Sequence, residues 1–179
     1  MRIDGKTLKR ITAYWPYAVL VLIVCVFGIY RVRNFVPGHS ESDLDAYFFL
    51  AKQMARFDPV AVTTDTPFLY QQHPWVETVE GRITAKFAPG YPLLMAPFYW
   101  LFGDNGLFLV SPVAAMLTVI AAFLLFRLWM SDGAALLALT AMCVNLTFFF
   151  YSGYPLAHSA NVCLVTWGMY GLWRWMGQT

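Results

Sequence analysis

Charge is what this chain has least of. Only 12% of its 179 residues are charged, where a soluble domain carries about a quarter. With 59% hydrophobic and 18% aromatic residues, too little polar surface remains to keep the chain dissolved. The net charge of +2 is too small to grip a phosphate backbone, so no nucleic-acid partner is expected. Cysteine is also scarce. Cys25, Cys143 and Cys163 all fall inside apolar runs, which argues against a disulfide framework or a zinc site and makes them small apolar helix residues. The glycines are scattered and form neither a Rossmann nor a P-loop phosphate loop. His73 has no second ligand at matching spacing, so no metal site is indicated, and the need for a divalent metal or other cofactor is left open. No internal repeat of the transporter kind is present.

What the chain does have is long apolar runs. A membrane-spanning helix needs about 20 mostly apolar residues, with a lower limit near 17. Four segments qualify: 14–30, 106–126, 133–151 and 156–173. The first is followed by Tyr30-Arg31-Val32-Arg33 and not by small residues, so it reads as a retained anchor and not a removed signal peptide. The expected fold is therefore an all-α integral membrane protein with four spans. Juxtamembrane helices are expected in the long loop 31–105. The 89–102 run, with Pro89, Gly90, Pro92 and Pro97, is shorter than a span and reads as interfacial or re-entrant. Its Tyr91, Phe98, Tyr99 and Trp100 suit the headgroup boundary. Asn145, deep in the third apolar run, is expected to bond to a neighbouring helix.

Charge placement gives an orientation. Arg2, Lys6, Lys9 and Arg10 precede the first span, Arg127 closes the second and Arg174 closes the fourth. Placing these in the cytoplasm puts both termini inside and the long loop outside. Arg31 and Arg33 fall on the other side, but they open a long loop, where this rule weighs little. Asp43, Lys86 and His158, far apart in sequence, then face the same external side. The expected location is a bacterial inner (plasma) membrane.

The residues of that side carry both ordinary and chemical readings. Ser42 followed by Asp45 matches a capping-box variant that starts a helix running to about Arg56. Tyr47, Leu50, Ala51 and Met54 form its apolar face, and Asp43, one turn before Tyr47, shares it. Acids in a first helical turn are favoured by the helix dipole alone. Lys86 suits a snorkelling role at an apolar edge, or a point charge for a phosphate. His158, just inside the fourth span, suits a hydrogen-bonded packing role, or a functional one because ionisable groups at membrane depth are costly.

The order of parts resembles the N-terminal portion of GT-C-type membrane glycosyltransferases, closest to protein O-mannosyltransferases and bacterial aminoarabinose–lipid A transferases. Ser42-Asp43-Leu44-Asp45-Ala46-Tyr47 resembles the family's acidic motif on a juxtamembrane helix. Ala85-Lys86-Phe87-Ala88-Pro89-Gly90-Tyr91-Pro92 resembles its lysine-bearing turn, and 126–132 its short basic cytoplasmic turn. Tyr154-Pro155-Leu156-Ala157-His158 resembles the external turn before its fourth span. The resemblance implies transfer of a sugar from a polyprenyl-phosphate donor to an acceptor outside the cytoplasm. It makes Asp43 the catalytic acid, with Asp45 as the alternative, and Lys86 the residue for the donor phosphate. Tyr47, Tyr91 and His158 are the further site-lining residues. Three positions depart from the pattern: Leu44 stands at the motif's second acidic position, Ala85 where some relatives have an acid, and His158 where relatives have an aspartate.

Members of that family have more spans and a distal domain, so this chain is expected to be the front part of a longer enzyme, completed by a C-terminal part or by another membrane subunit. The rival class is a small non-enzymatic membrane subunit for assembly, lipid binding or transport. Either way, membrane lipid is an expected partner.

Overall fold

The computed structural model of the chain describes residues 5–34, 42–59, 61–62, 76–79 and 82–177. Helices dominate them. In chain order the elements are α1 (Gly5–Arg33), α2 (Ser42–Arg56), β1 (Ala61–Val62), β2 (Val76–Val79), β3 (Arg82–Ala85), α3 (Gly90–Phe102), α4 (Asp104–Leu107), α5 (Val110–Phe126), α6 (Asp132–Val144), α7 (Leu146–Tyr151) and α8 (Ala157–Met176). Among the described residues, two stretches are long and apolar enough to cross a membrane, Ala13–Arg33 and Asp104–Phe126.

α5 is the hub. Its Ala114, Ala115, Ala121 and Ala122 are buried, and small residues let apolar helices approach closely. α1 lies against it with Gly28 facing Met116, where a Cβ would run into the sulfur. Arg127, just past α5, donates to both the Tyr17 hydroxyl of α1 and the Asp132 carboxylate of α6. α1 therefore runs antiparallel to α5, and α6 turns back antiparallel as well. α8 runs parallel to α5: Ser111 bonds the Leu156 carbonyl near their starts, and Trp129 meets Trp173 near their ends.

Two apolar cores hold the bundle together, one along α1, α5 and α6 and one where α2 and α3 meet α5 and α8. Leu20 and Phe27 pack with Ala115, Val119 and Phe123 and with Leu136 and Leu139. Phe48 and Ala51 pack with Tyr91, Met95, Leu107 and Phe108 and with Ala160 and Cys163.

Two expectations need correction. The loop holds strands: β1, β3 and β2 form a small antiparallel sheet in the order β1-β3-β2, with Val79 opposite Arg82. The β-branched alternation of Val76-Glu77-Thr78-Val79 and Arg82-Ile83-Thr84 suits pleated pairing. The 133–151 run is also not one continuous helix. α6 stops after 13 residues, and Asn145 takes an extended backbone with ψ 125°. Its Oδ1 accepts from Thr147 N at 3.1 Å and Phe148 N at 3.2 Å, so Asn145 caps α7, and among the described residues it makes no bond across to a neighbouring helix. An Asn side chain offers the backbone a competing local acceptor, which breaks one helix and starts the next.

Candidate functional site

The site region is built by α2. Leu44, Ala46, Phe48, Leu50 and Ala51 are buried, so the helix lies against the protein on a face wider than one stripe. Ala46 and Leu50 pack with Ala85, the last residue of β3, and with Phe87. Lys86 stands between those two contacts, so α2 fixes where the lysine turn leaves the sheet. Among the described residues α2 begins at Ser42.

From α2 a chain of contacts runs into the bundle. The Tyr47 ring lies 5.1 Å from Phe87 and 5.2 Å, edge-on, from Tyr91. The Tyr91 hydroxyl meets Ser111 Oγ at 2.9 Å, and Ser111 in turn donates to the Leu156 carbonyl at 3.2 Å. Because the serine proton is spent on Leu156, Tyr91 is the donor in the first bond. Burial pushes the Tyr91 hydroxyl well above its ordinary range, partly offset by the Ser111 bond. Tyr91 is 6% exposed, so it is a buried strut and not the headgroup anchor expected from its place in an aromatic run.

The outer side of α2 is held by polar contacts. Lys52 pairs with Asp104 at 2.7 Å, and Arg56 donates to the Tyr99 hydroxyl at 2.9 Å. Both cations also stand over the Tyr99 ring. These contacts pin the C-terminal half of α2 to α3 and α4.

The structure brings together the acid-motif helix, the lysine turn, Tyr91 and the turn before α8. All lie at the end of the bundle opposite Arg127. Asp43 lies in the first turn of α2, with its side chain outside the described part of the structure. Asp45 and Tyr47 are half-buried and Lys86 is exposed. His158 is placed differently. Its ring meets Tyr151 at 4.9 Å and lines a cleft of about 250 Å³ with Asn145, Thr147 and Phe148. Its neighbours Ala157 and Ala160, with Cys163, are α8 residues packed with the Tyr47–Tyr91 cluster. His73 lies outside the described residues.

Sequence reasoning missed Ser111 and Phe87 as parts of this assembly. Ser111 carried one usable signal: a hydroxyl just before Pro112 at the head of an otherwise apolar run. Phe87 carried none beyond its place beside Lys86. No family model, curated protein or solved structure matches the chain.

Proposed function

We propose that this chain is a membrane glycosyltransferase of the GT-C type, or the front part of one. It would transfer a sugar from a polyprenyl-phosphate donor to an acceptor on the non-cytoplasmic side. The observation that carries the reading is the packing of α2 onto the lysine turn through Ala46, Leu50, Ala85 and the Tyr47–Phe87 contact. It supports one shared position for an acid motif and a lysine that lie some forty residues apart in the chain.

In this reading the chain crosses the membrane four times, with both termini cytoplasmic and the α2–β3 region outside. Asp43 takes the proton of the acceptor hydroxyl or amine as that atom bonds to the sugar's anomeric carbon. The bond from that carbon to the phosphate oxygen breaks, and the polyprenyl phosphate leaves with the electron pair. Lys86, a compact point charge, stabilises the departing phosphate. The donor brings its own leaving group, so positioning and proton removal are the protein's main tasks.

The test is transfer from a polyprenyl-phosphate sugar by the protein in its native membrane, comparing Asp43→Asn with Asp45→Asn. Asp43→Asn is expected to lower the rate by about a hundredfold or more, as loss of a general base does, while Asp45→Asn keeps most of it. Unchanged transfer in both variants would reduce the acid motif to a helix start and sink the proposal.

A further inference from the structure

α3 is apolar on both of its sides. Tyr91, Pro92, Met95 and Ala96 are buried against the bundle, while Leu93, Leu94, Pro97, Trp100 and Leu101 are exposed. The exposed set is spaced by three and four residues, so it forms one stripe along the outer face. The inner face stays at the head of the candidate span Asp104–Phe126. The Tyr91 hydroxyl meets Ser111, and a Cβ on Gly106 would overlap the Phe98 carbonyl. The outer stripe therefore runs beside the point where that span begins.

α2 finishes at the same place. Tyr47 meets Tyr91 near the starts of α2 and α3, and Arg56 donates to the Tyr99 hydroxyl near their ends. The two helices thus run parallel and end side by side. The next residue is Phe57, 97% exposed, in a left-handed backbone conformation. A ring so exposed adds nothing to the packing of the chain itself. The chemistry of this surface says what covers it. Among Phe57, Leu93, Leu94, Pro97, Trp100 and Leu101, the Trp100 indole is the one side-chain hydrogen-bonding group. Protein interfaces carry about one hydrogen bond per 100–200 Å²; lipid requires none, and tryptophan favours the membrane–water boundary. Charge selects no headgroup: Lys52 is paired with Asp104, and Asp58 follows two residues after Arg56.

We propose that Phe57 and the outer stripe of α3 lie together in the lipid boundary of the bilayer, so that the acid-motif helix is anchored to the membrane by its C-terminal end. The inference rests on the membrane location proposed above and not on the transfer reaction. The attraction is apolar, and it holds α2 at a fixed depth whichever headgroups surround it.

The experiment is spin-label depth measurement on the full chain in phosphatidylcholine vesicles, with and without phosphatidylglycerol. In a background without the native cysteines, a nitroxide is attached singly through Phe57→Cys, Leu93→Cys, Trp100→Cys or Leu22→Cys. All four positions are exposed, so a label displaces no packed side chain. Collisions with oxygen and with a water-soluble nickel complex are compared, and lipids labelled at the headgroup and along the acyl chain calibrate the depth. The labels at 57, 93 and 100 should read about 5–10 Å into the boundary, the depth of an interfacial helix face. The reading should be the same in both lipid mixtures. A label at 57 that meets the nickel complex as freely as in water would overturn the proposal, even with the two α3 labels in lipid. Labels shielded from both oxygen and nickel would overturn it in favour of a protein partner, and a depth reached only with phosphatidylglycerol would overturn the apolar account. The label at 22 separates the two readings. Deep at 22 and aqueous at 57 sinks this inference alone, whereas aqueous at both sinks the membrane location with it.

Discussion

The Tyr47 ring stands edge-on to Tyr91, with 5.2 Å between centroids. Phe87, on the lysine turn, lies on Tyr47 as well, at 5.1 Å. Three rings, from α2, the lysine turn and α3, thus cluster beside Lys86. Aromatic pairs of this geometry add about 0.5–1.5 kcal/mol beyond their buried area. The cluster gives a helix and a turn a common anchor on the bundle.

Tyr91→Phe tests that anchor through pH. The substitution removes one hydrogen bond and should cost about 1 kcal/mol near neutral pH. The folded Tyr91 hydroxyl is held above its ordinary range by burial. Its stabilising effect is therefore complete below the ordinary tyrosine value of about 10. As pH rises past that value the unfolded chain releases its proton while the folded one keeps it, and stability falls. Tyr91→Phe lacks this loss, so the stability gap should narrow above about pH 10. Thermal unfolding in detergent across that range measures it, and a constant gap would contradict the buried-donor assignment.

Much of the helical layout was legible in the sequence because length and apolarity decide it. A helix running to about Arg56 and a short apolar run over 89–102 were both read there, where α2 and α3 lie. The sheet was not legible, because strands of two and four residues give too short an alternation to rise above loop composition. The break at Asn145 was not legible either: hydropathy cannot tell an amide that bonds across helices from one that caps the next turn. At the site, Asp43 and Lys86 were visible as residue types in a spacing, whereas the Tyr47–Tyr91–Ser111–Leu156 chain depends on contacts between distant segments.

The proposed orientation predicts a labelling pattern. In a background without the native cysteines, a cysteine at Thr64 should react with a membrane-impermeant reagent from outside, and one at Ser131 should not. The reverse pattern would remove the external site and the proposed reaction with it.

Lys86→Ala should weaken binding of polyprenyl phosphate about tenfold or more, the usual scale of a charge-assisted contact, with little loss of folding because the side chain is exposed. Lys86→Arg should restore part of the affinity. Binding that is the same in the alanine variant would return Lys86 to a headgroup contact.

Phe57 ends α2 in the left-handed region, with φ 58°, and is 97% exposed. Phe57 N donates to Met54 O and Asp58 N to Gln53 O, the bond pattern of a helix stop that glycine fills most easily. Phe57→Gly should therefore stabilise the fold by about 1 kcal/mol, the steric penalty of that conformation for a side-chain-bearing residue. A lower unfolding temperature would show that the exposed ring makes a contact outside the chain worth more than the strain.

In the proposed four-span reading, the break at Asn145 also bears on the bilayer. A helix of 13 residues such as α6 rises only about 20 Å, while a typical hydrocarbon core is about 30 Å thick. Inserted alongside α1 and α5, α6 falls short by roughly a third, and α7 sets off from a capped bend at that level. Lipid tails beside α6 must then shorten or tilt to meet it, as they do around any segment with hydrophobic mismatch. In that reading the membrane would be pinched at this flank of the bundle.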